Sequence, residues 1–405
     1  MTHRLYYTDP YLQAFEAIVD RLDFTADRLI VTLDRTAFYP TSGGQPFDTG
    51  LLGAFRVVEV IDRDDGTIAH AVSPTATPTA TLAPGSSVQG VIDWPRRFDH
   101  MQQHTGQHVL SAAIDKRFQV RTVSFHLGDE VSTIDLAREL SAPEIAAAEA
   151  DANRVVWEDR PVAIRFAGAE EAARLPLRKE PVRGGTLRLI DVEGFDLSAC
   201  GGTHVARTGA IGIIAVAAWE RFKGGQRIEF VCGGRALERY RSARDVVAAG
   251  VRLLSVLPGE LPSAIQRMQA DAKDQKRVVA GLLEELAVFR AEALAAAAEP
   301  TAAGCAVLRA IDADANGLKS LAAAVAGKPG HVVVLVSTSR PVLVVAARST
   351  DVPALSAQAI VAALTATFGG RGGGRPELAQ AGGLDADPEA VLAAARDAIG
   401  RSARS

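Results

Sequence analysis

The sequence predicts an α+β multidomain chain: an N-terminal antiparallel β-barrel, a two-layer α+β domain, a helical hairpin and a small C-terminal α/β domain. Three observations predict it. Short apolar runs broken by Gly, Pro and Asp turns fill the first hundred residues; strands and an Ala-rich helix then interleave at close spacing; and a long stretch with apolar residues alternately three and four apart precedes a last group of strands and helices. At 405 residues the chain can build two or three cores, and the expected division is 1–95, 96–233, 234–300 and 301–405.

In the first segment Leu29 to Leu33, Phe55 to Ile61 and Val88 to Ile92 read as strands. Ser73 to Ser87, with Pro74, Pro78 and Pro84 among Thr and Ala, reads as a solvated loop. In the second, Ser141-Ala-Pro-Glu144 is a capping box that opens a helix to about Val156, followed by strands at Val162 to Phe166, Leu187 to Val192 and Arg227 to Val231. In the third, Ile265, Met268, Ala272, Gln275, Val279, Leu282, Leu286, Phe289, Ala293 and Ala296 form a heptad seam interrupted at Gln275. The helix from Pro262 to Ala298 would run about 55 Å at ~1.5 Å per residue, and an earlier helix carrying Leu237, Tyr240, Val247, Val251 and Leu254 would fold back near Pro258. Such a hairpin is a spacer or a homodimer arm, or its stripe packs on a neighbouring domain; the pattern fixes the stripe and not its partner. In the fourth, Cys305 to Ile311, His331 to Val336 and Val342 to Ala346 read as strands, with helices around Asn316 to Val325, Ser356 to Phe368 and Pro388 to Ile399.

Composition narrows the function. Forty-four Lys and Arg against 48 Asp and Glu give a net charge of −4, so the surface as a whole is no basic field and any nucleic-acid contact must be local. With 48% hydrophobic and 23% charged residues, disorder of the whole is excluded. Cys200, Cys232 and Cys305 make no disulfide framework and suit a reducing cytosol. Met1 to Leu12 lacks the apolar core of a secretory signal, and no apolar run nears the ~20 residues that span a bilayer. The expected location is cytoplasmic, with no membrane partner.

His104 and His108 sit four apart in Met101-Gln-Gln-His-Thr-Gly-Gln-His108, which on a helix puts both imidazoles on one face. Cys200-Gly-Gly-Thr-His204 adds a thiolate and a third imidazole around a tight turn, and the four together suit Zn²⁺. A zinc protease places a Glu between its two helical histidines as general base; Thr105-Gly106-Gln107 stands there instead, which favours a leaving group easier than an amine, such as an ester. A closed, structural four-ligand zinc is the alternative. Phe38-Tyr-Pro-Thr-Ser-Gly-Gly-Gln45 reads as a hairpin loop whose glycines allow close approach to a ligand, with Gln45 able to donate and accept. Arg371 and Arg375 flank Gly372-Gly373-Gly374, whose amides are expected to cradle phosphate as a nest. A basic run from Arg221 through Lys223, Arg227, Arg235, Arg239 and Arg241 to Arg244 reads as a nucleic-acid contact or a solvated face.

The loop ending at Gln45, the His104/His108 helix and Cys200-Gly-Gly-Thr-His204, in this order, resemble the editing domain of alanyl-tRNA synthetase and of the free-standing alanyl-tRNA editing (AlaX) proteins, in their long form. Phe368-Gly-Gly-Arg-Gly-Gly-Gly-Arg-Pro-Glu-Leu-Ala-Gln-Ala-Gly-Gly383 is similar to the glycine-rich signature of the synthetase's last domain, shared with DHH-type phosphodiesterases. The resemblance implies a hydrolase that cleaves Ser, and Gly, from tRNA(Ala), with Zn²⁺ held by His104, His108, Cys200 and His204. It implies a substrate-reading loop of Thr41, Ser42, Gly43, Gly44 and Gln45, with Gln45 the catalytic candidate. It also implies a tRNA grip through Arg371, Gly372, Gly373, Gly374 and Arg375. The chain opens at the barrel, so editing in trans without charging is expected. Asp196 and Glu193 lie near Cys200, but no general base is assigned; a ribose hydroxyl of the substrate is the other source. Two rivals remain: a zinc-stabilised tRNA-binding protein without turnover, and a phosphodiesterase, for which Asp99-His100-Met101 is the sole faint echo of a catalytic motif.

Overall fold

The computed structural model describes residues 1–25, 28–74, 82–178, 186–301 and 304–402. The proline-rich stretch read as a loop lies largely outside them, at residues 75–81. The chain folds as two compact units, Met1–Ala249 and Gly250–Ser405.

The barrel of the first unit is built from β1 (Ala14–Thr25), β2 (Arg28–Leu33), β3 (Gly50–Leu52), β4 (Phe55–Asp62), β5 (Ile68–Pro74) and β6 (Ser87–Ile92). They close into an antiparallel barrel in the order β1-β2-β5-β4-β3-β6, as expected. Alternation builds it: in β6 Val88, Gly90 and Ile92 face inward while Ser87, Gln89 and Val91 do not. Val19, Val31, Leu33, Leu52, Val57 and Ile68 fill the interior. A histidine lies among them. His70 is fully buried, with Nδ1 3.0 Å from the Val31 carbonyl and Nε2 2.9 Å from Thr36 Oγ1.

After the barrel come α1 (Trp94–Phe118), β7 (Thr122–Leu127), β8 (Ser132–Leu136), α2 (Ala142–Trp157), β9 (Val162–Ala167), β10 (Leu187–Val192), β11 (Asp196–Ala199), β12 (Ile214–Phe222) and β13 (Gly225–Cys232). The strands form one four-stranded sheet, β12-β13-β8-β7, and one three-stranded sheet, β9-β10-β11. Met101, Leu110, Ile114, Val155, Ile228 and Phe230 share the core between sheet and helices. The capping box opens α2, with Glu144 accepting from the Ser141 N–H at 2.7 Å. Helix α1 starts at Asp93, whose carboxylate caps the Arg96 N–H, and stops where Gln119 turns left-handed at φ 55°. From His100 to Ile114 nearly every α1 side chain is buried, so polar residues there need partners inside the protein.

Arg97, in the first turn of α1, ties this helix to the barrel. Its side chain is fully buried and pairs with fully buried Asp48, Nε lying 3.0 Å from both carboxylate oxygens while Nη2 donates to Oδ2. Nη1 donates to the Pro10 carbonyl at 2.9 Å and Nη2 also to the Ala37 carbonyl, while Asp48 accepts from the Tyr39 N–H at 2.6 Å.

Helix α3 (Gly233–Leu254) crosses the unit boundary, and α4 (Leu261–Ala296) begins the second unit. A six-stranded mixed sheet follows, built from β14 (Glu299–Thr301), β15 (Gly304–Ile311), β16 (His331–Ser337), β17 (Val342–Arg348), β18 (Arg371–Gly374) and β19 (Leu378–Leu384), in the order β14-β15-β16-β17-β19-β18. Helices α5 (Ala315–Ala326), α6 (Ala357–Phe368) and α7 (Pro388–Ser402) cover it. Ala287 and Ala291 of α4 pack with Leu318, Leu321 and Val333. The seam predicted along α4 is left uncovered within this chain, Met268, Val279, Leu282 and Phe289 each being more than half exposed. Among the described residues no helix is long and apolar enough to cross a membrane.

Two outcomes follow from these buried polar groups. Replacing Arg97 by Ala strands the Asp48 charge and is expected to cost about 3–5 kcal/mol in urea unfolding. Burial pushes the His70 imidazole down to about 4, against about 6.5 in the unfolded chain. The folded state therefore keeps His70 neutral while the unfolded chain protonates, so its contribution is complete above pH 6.5 and is lost as pH falls toward 4. The loss amounts to about 3 kcal/mol. Burial and Arg96 depress His100 to about 4 as well, so His70→Gln is expected to flatten the acid limb in part, read as urea midpoints at pH 7 and 4.5.

Candidate metal centre

Residues 104 to 108 span one turn of α1 and bring the His104 and His108 rings to 5.4 Å centroid separation. His204, in the loop after β11, places its ring 4.4 Å from that of His104 and 4.8 Å from that of His108. Cys200 directs Sγ to 3.4 Å from His104 Nε2 and 3.3 Å from His204 Nε2. All four donor atoms lie within 4.8 Å of one another, so this cluster could hold a metal ion.

Each imidazole has its other nitrogen engaged. His104 Nδ1 lies 2.9 Å from Gln45 Oε1, whose amide is oriented by Nε2 donating to Thr203 Oγ1 at 2.8 Å and Oε1 accepting from the Thr203 N–H at 3.0 Å. His108 Nδ1 lies 3.0 Å from Asp196 Oδ2. His204 Nδ1 lies 3.2 Å from Thr105 Oγ1, whose hydroxyl donates to the Met101 carbonyl and so receives the imidazole proton. With all three Nδ1 atoms donating, three Nε2 lone pairs are left for one ion, and the donor set fits a borderline metal.

Electrostatics agree. Burial alone would raise the Cys200 thiol, yet His104 and His204 hold it well below the usual thiol range, which favours the thiolate. Burial and the neighbouring His104 depress His204 to about 3. For His108 burial is outweighed by the hydrogen bond to Asp196 and by Cys200, raising it to about 9, so a metal must displace a proton there. Asp196 accepts from His108, from Arg178 Nε at 2.6 Å and from Ser198 Oγ, and despite burial these partners lower it below the usual carboxylate range. A carboxylate so occupied is a poor general base.

The thiol-bearing turn is held from beneath. Arg188, on β10, donates to the carbonyls of Cys200 at 2.7 Å, Gly202 at 2.9 Å and Tyr7 at 2.9 Å. At Gly202 a Cβ would sit 2.1 Å from His104 Cε1, so only glycine lets the turn approach the ring.

A cavity of about 350 Å³ opens beside the cluster, lined in part by Gly43, Gln107, His108, Thr122, Arg178 and Cys200. Gly43 and Gly44 form a two-residue hairpin with φ of +53° and +81°, closed by the Ser42–Gln45 backbone bridge. Thr41 and Ser42 are exposed and do not line the cavity, while Gln45 is wholly buried behind His104. Phe125 is a residue that sequence reasoning passed over; its ring packs 5.7 Å from that of His104 and directly over Gly44. Thr105, Thr203 and Arg178 were passed over too, although both threonines sit inside the motifs themselves.

Two expectations change. Arg371 to Gly374 is strand β18, an exposed sheet edge paired to β19, and an extended backbone points successive amides to opposite sides; the phosphate nest expected there is not formed. The basic run is largely spent on ion pairs: Arg227 with Asp135, Arg235 with Asp99, Arg221 with Glu139 and Arg244 with Asp245.

Three sequence families match: tRNA synthetases class II (A) over residues 12–96, the threonyl and alanyl tRNA synthetase second additional domain over 187–229, and the DHHA1 domain over 302–402. The first two of these families are named for tRNA synthetases. An alanyl-tRNA editing protein AlaX-M from Methanosarcina acetivorans is 39% identical over 224 residues, 52% of this chain and 90% of that protein. An AlaX-L from Pyrococcus horikoshii is 29% identical, with 97% of each chain covered. The alanine–tRNA ligase of Pyrococcus abyssi is 33% identical over 94% of this chain, which spans 42% of that enzyme's length. The chain belongs to the alanyl-tRNA editing protein (AlaX) family.

The glycine turn gives a paired test. Gly202→Ala is expected to abolish metal binding, measured as metal per folded chain, while Gly201→Ala, whose Cβ would meet nothing closer than Tyr7 Oη at 3.6 Å, retains it.

Proposed function

We propose that this protein hydrolyses the ester joining Ser, and also Gly, to tRNA(Ala), with Zn²⁺ held by His104, His108, Cys200 and His204. The observation that carries the reading is the convergence of three imidazole nitrogens and a low-pKa thiol, two of which, His108 and Cys200, open onto a cavity of about 350 Å³. Family membership supports editing of alanyl-tRNA as the purpose of that cavity. When bound, zinc supplies a Lewis acid that polarises the ester carbonyl or a water, or orients the aminoacyl group.

The chain's own residues do the rest. Gln45, Asp196 and Thr105 fix the three rings, so Gln45 acts through His104 and not on the ester itself. His108 and Cys200 are ligands, Arg178 is a cation and Asp196 is fully occupied, so among the described residues that line or back the cavity no side chain is left as base. The proton lost by the attacking water is then relayed through the substrate's own vicinal ribose hydroxyl, which gives its own proton to the departing ribose oxygen. Preference for Ser over Ala follows if the pocket hydrogen-bonds the Ser hydroxyl, which leaves polar groups unpaired when Ala enters; for Gly the space left by the missing methyl can hold a water on those groups. Of the loop residues expected to read that hydroxyl, Gly43 lines the cavity and offers its backbone, while Thr41 and Ser42 lie outside it.

The C-terminal α/β domain would grip the tRNA through Arg371, Arg375 and the open backbone of Gly372, Gly373 and Gly374, with residues 234–300 as the spacer from the barrel (1–95) and zinc-binding (96–233) domains. Cytoplasmic residence and a homodimer belong to the same proposal. Four ligands that close on the ion favour one rival, a structural zinc in a tRNA-binding protein.

The test is direct. Purified protein is expected to carry one zinc per chain and to deacylate Ser-tRNA(Ala) at least about a hundredfold faster than Ala-tRNA(Ala). His108→Ala is expected to lose both metal and turnover. A zinc-loaded wild type that turns over no mischarged tRNA would establish the rival, and full activity in metal-free protein would remove the zinc assignment.

A further inference from the structure

Arg178 is the one Lys or Arg among the described residues that line the cavity. Two of its three guanidinium nitrogens are committed, Nε and Nη2 lying 2.6 Å and 3.2 Å from the Asp196 carboxylate. Asp196 is itself fully buried and faces His108, so Arg178 stands one carboxylate and one imidazole away from the metal cluster. The side chain keeps 17% exposure, and Nη1 has no partner among the described residues. A guanidinium held flat by two bonds is already oriented, so little rotamer entropy remains to be lost when a third acceptor arrives.

We propose that Arg178 anchors, through Nη1, the 5′-phosphate of the terminal nucleotide that carries the ester; this rests on the deacylase reading above. Chemistry selects the group. The ester must sit at the cluster, from which Asp196 and His108 separate Arg178, and the substrate's α-ammonium is repelled by a cation. Along the aminoacyl nucleotide the phosphate is the one anion, and it lies a ribose length from the ester bond. A guanidinium paired to Asp196 through two nitrogens, with Nη1 still open, presents one more charge-assisted donor to it, and such bonds to phosphate are among the stronger ones.

The experiment compares serine esterified to adenosine with serine esterified to adenosine 5′-monophosphate. For the wild type kcat/KM is expected to favour the phosphorylated ester by on the order of 10- to 100-fold, mostly in KM. In Arg178→Gln that ratio is expected to fall to near one, with zinc still at one per chain and the adenosine ester slowed no more than a few-fold; Arg178→Lys should keep part of the ratio. As a second measure, adenosine monophosphate should inhibit deacylation of Ser-tRNA(Ala) more strongly than adenosine does in the wild type, and equally in Arg178→Gln. A wild-type ratio near one overturns the anchor, as does an Arg178→Gln enzyme that slows on both esters alike and keeps the ratio, because Arg178 would then act only through Asp196. If Arg178→Gln does not fold, the wild-type ratio and inhibition decide alone. Wild type inert toward Ser-tRNA(Ala) itself would instead remove the deacylase reading.

Discussion

The arrangement of the site depends on a charge pair that never touches it. Arg97 and Asp48 are both fully excluded from water, one on the first turn of the central helix and the other at the end of the barrel's hairpin loop. Each is tolerable only while the other is in place, and the carbonyls of Pro10 and Ala37 complete the guanidinium's needs. The pair therefore sets the distance between barrel and helix. Gln45 lies three residues before Asp48, and His104 two turns after Arg97, so the Gln45–His104 contact inherits its geometry from this ion pair.

From there the order of the centre is imposed outward to inward. Amide, carboxylate and hydroxyl each fix one imidazole, and none of the three comes from the same element: Gln45 is on the barrel loop, Asp196 on β11 and Thr105 on α1. Arg188 shapes the turn that carries Cys200 by holding two of its carbonyls. Among the described residues Arg188 has no carboxylate partner, and its guanidinium lies over the Tyr7 ring with burial lowering its pKa. Cys200 is the first of the groups that oppose this lowering, ahead of Tyr7.

Much of this was legible in the sequence because it is periodic or punctuated. Helix α2 announced itself through its capping box, and the C-terminal strands through uninterrupted Val and Leu runs that match two-sided burial, as in Val332 to Val336. The twelve-residue β1 was not legible: Glu16, Asp20, Arg21 and Asp23 stand on its solvated side and dilute the apolar signal. Strand β18 was misleading, since three glycines in a row carry no side chain to alternate and read as a loop. The four residues that could hold a metal ion were legible from their spacing. Their partners were not, because Gln45, Thr105 and Asp196 are ordinary polar residues until the fold brings them within 3.2 Å of a ring nitrogen. The α4 seam shows the opposite limit: the period was read correctly, yet the helix buries Ala287 and Ala291 and leaves Val279 and Phe289 outside.

Asp196 is shared, and sharing has a thermodynamic side. One carboxylate is bonded at once to the ring of His108 and to the guanidinium of Arg178. Anything that draws on one of those bonds alters the negative charge felt by the other. Occupancy at the two ends of this three-residue chain is thus linked, and linkage is mutual: whatever factor a metal adds to the hold of Arg178 on an anion, the anion returns to the hold of His108 on the metal.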